Sequence, residues 1–349
     1  MPMTASEPRG QTSKFTKVSF ERHAEPLRRE IKVHCYRMLG SLHDAEDLVQ
    51  ESYLRAWRAF DSFDGGSFRG WLYKIATNAC LNAIASRKHK QRLLPDQLGP
   101  SATQMPNGPP STDIAWLEPY PDSDLERIAD PAPTPEVRYS SREATQLAFV
   151  AAIQQLPPRQ RATLLLCDVI GWSSAEAAAL LAVTTASINS ALQRARQTLA
   201  KRHGDGQPAP QRPDPEQQGL LNRYLKAWED HDVDGFVALL KEDATFTMPP
   251  WLQWYVGRES IRSFFASAWK TCGGLRLVPT AANGQAAFAV YERSQTDGPL
   301  IAHAIHVLTI RSHVVSALTA FQPPTGPRLF PAFGLPPVLA DAAGVQSKI

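Results

Sequence analysis

Proline punctuates this chain so unevenly that it fixes where helices can and cannot run. Of 29 prolines, 10 fall in residues 95–141, 4 in 208–215 and 6 in 323–337, while 27–94 and 159–207 contain none. Proline removes a backbone donor and clashes with the preceding turn, so a proline-free stretch can be helical throughout and a proline-dense one cannot. The pattern predicts a helical module at 15–94, a linker at 95–141 and a second helical module at 142–203. A short linker at 204–215, a third domain at 216–322 and a Pro-rich tail at 323–349 complete the chain.

Charge follows the same divisions. The net charge of +3 hides +6 in residues 1–94, −6 in 95–141, +4 in 142–204 and −1 in the remainder. Two basic bodies joined by an acidic strap suit a polyanionic partner. The composition, 43% hydrophobic and 20% charged, is that of a soluble globular protein. No apolar run reaches the length of a bilayer span, and the N-terminus has no apolar signal segment, so neither membrane nor export is expected. The four cysteines (Cys35, Cys80, Cys167, Cys272) lie far apart with no CxxC spacing. That excludes a zinc knuckle or disulfide scaffold and fits a reducing cytoplasm; no cofactor or metal is expected.

In the first module, Ala45, Leu48, Val49, Ser52, Ala56 and Phe60 recur at helical spacing, with Asp44 as the expected N-cap. Asp47, Gln50 and Glu51 fall on the other side, either a solvated face or a docking face for a basic partner. A Gly-Gly loop flanked by aromatics (Phe60, Phe63, Phe68, Trp71) leads into a helix expected over 71–90. Its outer face carries Lys74, Asn78 and Asn82, and its basic end begins at Arg87 and Lys88. Those charges suit a helix C-terminus and equally suit phosphates.

Asp44-Ala-Glu-Asp-Leu-Val-Gln-Glu51 followed by Phe68-Arg-Gly-Trp-Leu-Tyr-Lys-Ile-Ala-Thr-Asn78 resembles the second conserved region of bacterial sigma factors, closest to the extracytoplasmic-function class of the sigma-70 family. The resemblance implies that Asp44, Asp47, Gln50 and Glu51 dock on the clamp of core RNA polymerase. It further implies that Phe63, Trp71, Lys74, Asn78, Asn82, Arg87 and Lys88 recognise and melt the −10 promoter element.

The second module reads as four short helices. Ser173-Ser-Ala-Glu176 has the form of a capping box opening a helix at 174–181, and a three-residue turn leads to a longer basic helix over 185–202. A short helix, a tight turn and a longer helix form the helix-turn-helix pattern. The segment resembles the fourth sigma region, which reads the −35 element. That assigns promoter contact to Thr185, Ser187, Asn189, Ser190, Gln193, Arg194 and Arg196. Family members commonly carry Arg-Ser-Arg where this chain has Asn189-Ser190-Ala191. Arg favours guanine and Asn favours adenine, so a different −35 preference is expected.

The linker holds an aromatic cluster, Ile114-Ala-Trp-Leu-Glu-Pro-Tyr-Pro121. Its Trp-Leu-Glu-Pro patch resembles the linker motif of sigma factors with an extra C-terminal domain, and Trp116 and Leu117 are expected to dock on that domain. The third domain reads as helices followed by strands, an α+β layout. It resembles the SnoaL-like branch of the NTF2-like cones. His303 and His306, an odd number apart in a strand, are expected on opposite faces and so not in one catalytic site. Trp251, Trp254 and Tyr255 are either cone packing or a surface for the linker or a small ligand.

The fold class is therefore multi-domain: two all-α bodies and an α+β NTF2-like cone. The expected function is a sigma factor whose partners are core RNA polymerase and promoter DNA, with the C-terminal domain regulating it in cis. It is not an enzyme. The alternatives are a one-component DNA-binding regulator with a ligand-sensing cone, and a SnoaL-like enzyme tethered to DNA-binding modules.

Overall fold

In the computed structural model, which describes residues 17–86, 91–126, 137–203, 215–293 and 298–339, the described parts of the proline-free stretches are mainly helical. The first module holds α1 (Lys17–Ala24), α2 (Arg28–Leu39), α3 (Leu42–Ala59) and α4 (Phe68–Ala85). The expected stripe on α3 is buried, joined by Leu42 and Tyr53. Its N-cap is Ser41 rather than Asp44, because Ser41 Oγ accepts the Asp44 N–H and so begins the helix three residues earlier. α2 stops at Gly40 in the left-handed region, where φ is +70°. α4 begins at Phe68 on the Ser67 cap and ends at Ala85. Residues 87–90, including Arg87 and Lys88, lie outside the described residues.

The second module holds α5 (Leu147–Gln154), α6 (Pro158–Leu164) continued by one π-helical turn (Leu165–Val169), α7 (Ser174–Leu181) and α8 (Thr185–His203). The capping box at Ser173 and Glu176 forms as its sequence requires. α7 and α8 meet at 106°, within the range of a helix-turn-helix.

The C-terminal domain opens with α9 (Pro215–Glu229) and α10 (Val233–Ala238), the latter capped by Asp232. There follow β1 (Leu240–Thr247), β2 (Trp254–Val256), α11 (Arg258–Ala268), β3 (Gly274–Ala282), β4 (Gln285–Arg293), β5 (Leu300–Arg311) and β6 (Val314–Phe321). The strand order is β2-β1-β6-β5-β4-β3, antiparallel except for β1 beside β6. The helices pack on the inner face, where Tyr224, Trp228, Phe236, Phe265, Trp269 and Phe288 fill the cone. The tail is part of the domain. α12 (Thr325–Leu329) buries Leu329, Phe330 packs edge-on against Tyr291, and β7 (Val338–Leu339) pairs with β5.

The outer face of the sheet has no water-facing alternation in its middle. Ala287, Ala289, Tyr291, Ile305 and Val307 belong to one hydrophobic core with residues of both helical modules. Burying a sheet on both faces calls for apolar residues at successive positions, as β4 shows from Ala286 to Tyr291.

Candidate nucleic-acid and partner interfaces

On α3, Asp47, Gln50 and Glu51 are exposed, and Leu54 beside them is 57% exposed. Asp44 stands apart from this group. It is half-buried and bonded at 2.5 Å to Arg92, near the C-terminal end of the first module.

The N-terminus of α3 is held from outside. The Glu118 carboxylate accepts from Ser41 Oγ at 2.9 Å and from the Leu42 N–H at 2.8 Å, and it pairs with His43 at 3.3 Å. Burial disfavours the charge, but the His43 hydrogen bond and the nearby Arg92 hold its pKa below the usual glutamate value. The same contact raises the pKa of His43.

The aromatics of the Gly-Gly loop form a cluster. Phe63 stacks with Phe60 at 6.3 Å and packs on Phe68 and Trp71, while Phe20 of α1 meets Phe60 at 5.2 Å. Trp71 and Asn78 are half-exposed, and Lys74 and Asn82 are exposed. Trp71 and Lys74 form one wall of a cleft of about 680 Å³ whose other wall is Trp172, Glu176 and Leu180 of the second module. Beside it, the buried Tyr73 meets Trp172 edge to face at 5.4 Å. Thus one end of the face expected to capture an unstacked base, at Trp71 and Lys74, lies opposite the helix-turn-helix.

On α8, Ile188, Leu192, Ala195 and Leu199 are buried, and Thr185, Ser187, Asn189, Ser190, Gln193 and Arg194 are exposed. Arg196 is bound within the module. It makes two hydrogen bonds, 2.9 and 2.6 Å, to the fully buried Asp168 carboxylate. A buried carboxylate needs that partner, so Arg196 braces the module from within.

The three bodies meet at the β3–β4 turn, whose residues Asn283 and Gly284 both have positive φ. Asn283 Nδ2 donates to Tyr36 Oη and to the Thr145 carbonyl, both at 2.8 Å. Its Oδ1 accepts the Tyr120 N–H at 2.9 Å, and its own N–H donates to the Tyr120 carbonyl at 2.8 Å. One side chain therefore ties the cone to the first module, the linker and the edge of the second module. The Gly284 N–H donates to Asp122 at 2.7 Å. Burial pushes Asp122 up to about 6, against that hydrogen bond and the Arg142 charge 3.8 Å away.

A second socket is the C-terminus of α2, whose last carbonyls have no partner within the helix. Gln154 Nε2 donates to the Arg37 carbonyl, the buried Arg161 guanidinium to that of Met38, and the Glu118 N–H to that of Gly40. Cations and donors are favoured at a helix C-terminus, so this end attracts the second module.

Leu117 packs on the first module. It is fully buried there, where a Cβ on Gly40 would come within 2.8 Å of it, and Trp116 bridges to Leu93. The cone holds an earlier stretch of the linker. Trp254 Nε1 donates to the Gly99 carbonyl, Tyr255 Oη to that of Gln104, and Ala102 N–H to that of Trp254. Trp251 is half-buried against the cone core. The argument from odd spacing at His303 and His306 also changes. A β-bulge pairs Val290 with Ala304 but Tyr291 with Ala302, which leaves His303 as an extra residue and breaks the alternation. The two still serve different partners: His303 pairs with Glu292 at 2.8 Å, and buried His306 with Tyr224 at 3.0 Å.

Sequence reasoning passed over Asn283 and Gly284, although Asn-Gly between two strand-like runs is a strong hairpin signal. It also passed over Glu118, Asp122, Gln154 and Arg161, for which no local pattern exists.

Three family models match the chain: Sigma-70 region 2 over residues 24–90, Sigma-70, region 4 over 146–199, and a SnoaL-like domain over 221–316. The chain is 45% identical over 325 residues to the ECF RNA polymerase sigma factor SigG of Mycobacterium tuberculosis, covering 91% of this chain and 84% of that protein. It is 28% identical over 227 residues to SigJ of the same organism, covering 64% and 62%. The crystal structure of SigJ matches with a TM-score of 0.60 at 23% identity, over 90% of this chain and 99% of that one, which speaks for a shared fold.

Proposed function

The chain belongs to the extracytoplasmic-function RNA polymerase sigma factors, and from that premise we propose that it is a sigma factor held closed in cis by its own C-terminal domain. As a sigma factor it acts on core RNA polymerase to direct promoter-specific initiation, and it works by binding rather than by bond chemistry. In our reading Asp47, Gln50, Glu51 and Leu54 meet the polymerase. Phe63, Trp71, Lys74, Asn78 and Asn82 take the −10 element, and the exposed face of α8 takes the −35 element.

The observation that carries the closed reading is Asn283, bonded at once to Tyr36, Tyr120 and Thr145. While that tie holds, the helix-turn-helix stands opposite Trp71 across the cleft. Polymerase binding must separate the two helical modules before both promoter elements are read. A small ligand in the cone has weaker support, since aromatic rings fill its interior. The cone is read as a clamp on the linker and the modules.

Charge reversal tests the polymerase face. Asp47→Lys should weaken binding to core polymerase at least about tenfold and lower promoter-dependent transcription in step. Unchanged binding and transcription would favour instead a regulator that acts on duplex DNA without a clamp-binding face.

A further inference from the structure

We propose that Ser174 positions Asn189 to read an adenine edge in the upstream promoter element, so that a residue outside the recognition helix helps set promoter preference. The inference rests on the reading of α8 as the −35 helix and adds to it a positioning residue and a base.

Ser174 is the first residue of α7, yet it does no capping. Ser173 is the cap: its Oγ accepts the Glu176 N–H at 3.2 Å, and the Glu176 carboxylate takes the Ser173 N–H at 2.9 Å and its hydroxyl at 2.8 Å. The helix end is thus satisfied without Ser174. The Ser174 hydroxyl instead reaches across to α8, 15 residues on, and donates to Asn189 Oδ1 at 2.7 Å. Asn189 is exposed, one residue after the buried Ile188 that packs α8 on the body of the module.

The chemistry left on Asn189 identifies the base. An amide has one acceptor oxygen with two lone pairs and two N–H donors. With one lone pair taken by Ser174, it keeps a lone pair and both donors. That set matches the N6 donor and N7 acceptor of adenine in the major groove, and it offers nothing that favours the paired N7 and O6 acceptors of guanine over them. Gln193, one helical turn on and also exposed, carries a second amide on the same side. The bond to Ser174 fixes the plane and reach of the Asn189 amide before DNA arrives, which removes the ordering cost of an otherwise free side chain. Because neither group is charged, the effect belongs to base choice and not to phosphate attraction.

The test uses the full chain with core polymerase on a promoter library randomised across the upstream element, with Ser174→Ala, Ser174→Thr, Asn189→Ala and the double variant. Ser174→Ala should lower the preference for adenine at one position by about 3- to 10-fold, the equivalent of one preorganised side chain. Ser174→Thr, which keeps the hydroxyl, should restore it. Ser174→Ala should change nothing further once Asn189 is Ala, and the salt dependence of promoter binding should stay that of the unaltered chain. If Asn189→Ala shifts base preference and Ser174→Ala does not, the positioning role is overturned while α8 remains the reading helix. If Asn189→Ala leaves every position unchanged, the proposal falls together with the assignment of that face. A loss equal at all four bases in Ser174→Ala, not rescued by Thr, also overturns it, since that is what damage to the fold would produce.

Discussion

At the scale of single residues, the polar groups that matter most here are those whose partners lie far along the chain. Asp122 illustrates how one of them can be read physically. Its carboxylate is buried at the β3–β4 turn and its pKa stands at about 6, while a released aspartate titrates near 3.9. A raised pKa in the closed form means that closing is favoured while Asp122 is protonated. The advantage is complete below about pH 4, falls as pH rises to about 6, and is absent above. Glu118 does not mimic this, because its lowered pKa makes it lose stabilising charge only at more acidic pH. His43 acts in the same direction as Asp122 at higher pH through its bond to Glu118, and it is largely exposed. Fluorescence transfer between a probe on the cone and one on the first module should therefore report a closing equilibrium about 10- to 100-fold stronger at pH 4.5 than at pH 7. Asp122→Asn should flatten most of that dependence; a variant with the full dependence would move the titration to another group.

At the scale of elements, the sequence is most legible where the determinants are local. The capping box at Ser173 and Glu176 fixes α7, and apolar strand-like runs mark β5 and β6. The same locality explains what it misses. Asp44 is an acceptable cap by type, but Ser41 caps because Gly40 ends α2 just before it and Glu118 closes over the new helix start. Arg196 looks like a phosphate contact by position, and only the fold reveals that Asp168 lies behind it. The strict alternation argument at His303 fails because a bulge cannot be read from residue type. Glu118 makes the element-scale prediction. It is a carboxylate placed from the linker at the positive end of α3, the helix that carries the polymerase face. Glu118→Ala removes acceptors for Ser41, Leu42 and His43 and should cost about 1–2 kcal/mol at that helix end. Hydrogen exchange should speed up in the first turn of α3 and stay the same in α4. Equal protection throughout α3 would mean that the linker does not support the helix.

At the scale of the whole molecule, composition separates the bodies and geometry joins them. The prolines and charges lead one to expect separate bodies, yet a single apolar core passes through both helical modules and onto the outer face of the sheet. Apolar area of that kind is not directional, so the specificity of closure must come from the polar groups set within it. Asn283 is the one that touches every partner. Replacing it with Ala leaves the Tyr120 N–H and the Thr145 carbonyl without their bonds and takes one bond from Tyr36 Oη, which still donates to the Glu118 carbonyl, in a site where water is excluded. At about 1 kcal/mol for each of these bonds, the closed form loses about 3 kcal/mol and the ratio of closed to open falls on the order of 100-fold. The released form is the one in which Trp71 no longer faces Trp172 and Leu180 across the cleft, so core polymerase no longer has to break the tie. Asn283→Ala should therefore bind core polymerase more tightly and initiate at lower sigma concentration, while the helical content of each module is kept. The gain is bounded by the fraction of wild-type chains already open: a protein that is mostly open has little to gain from losing the latch. Equal polymerase affinity for the variant and the wild type, with fluorescence transfer showing the variant open, would mean that closure does not limit assembly.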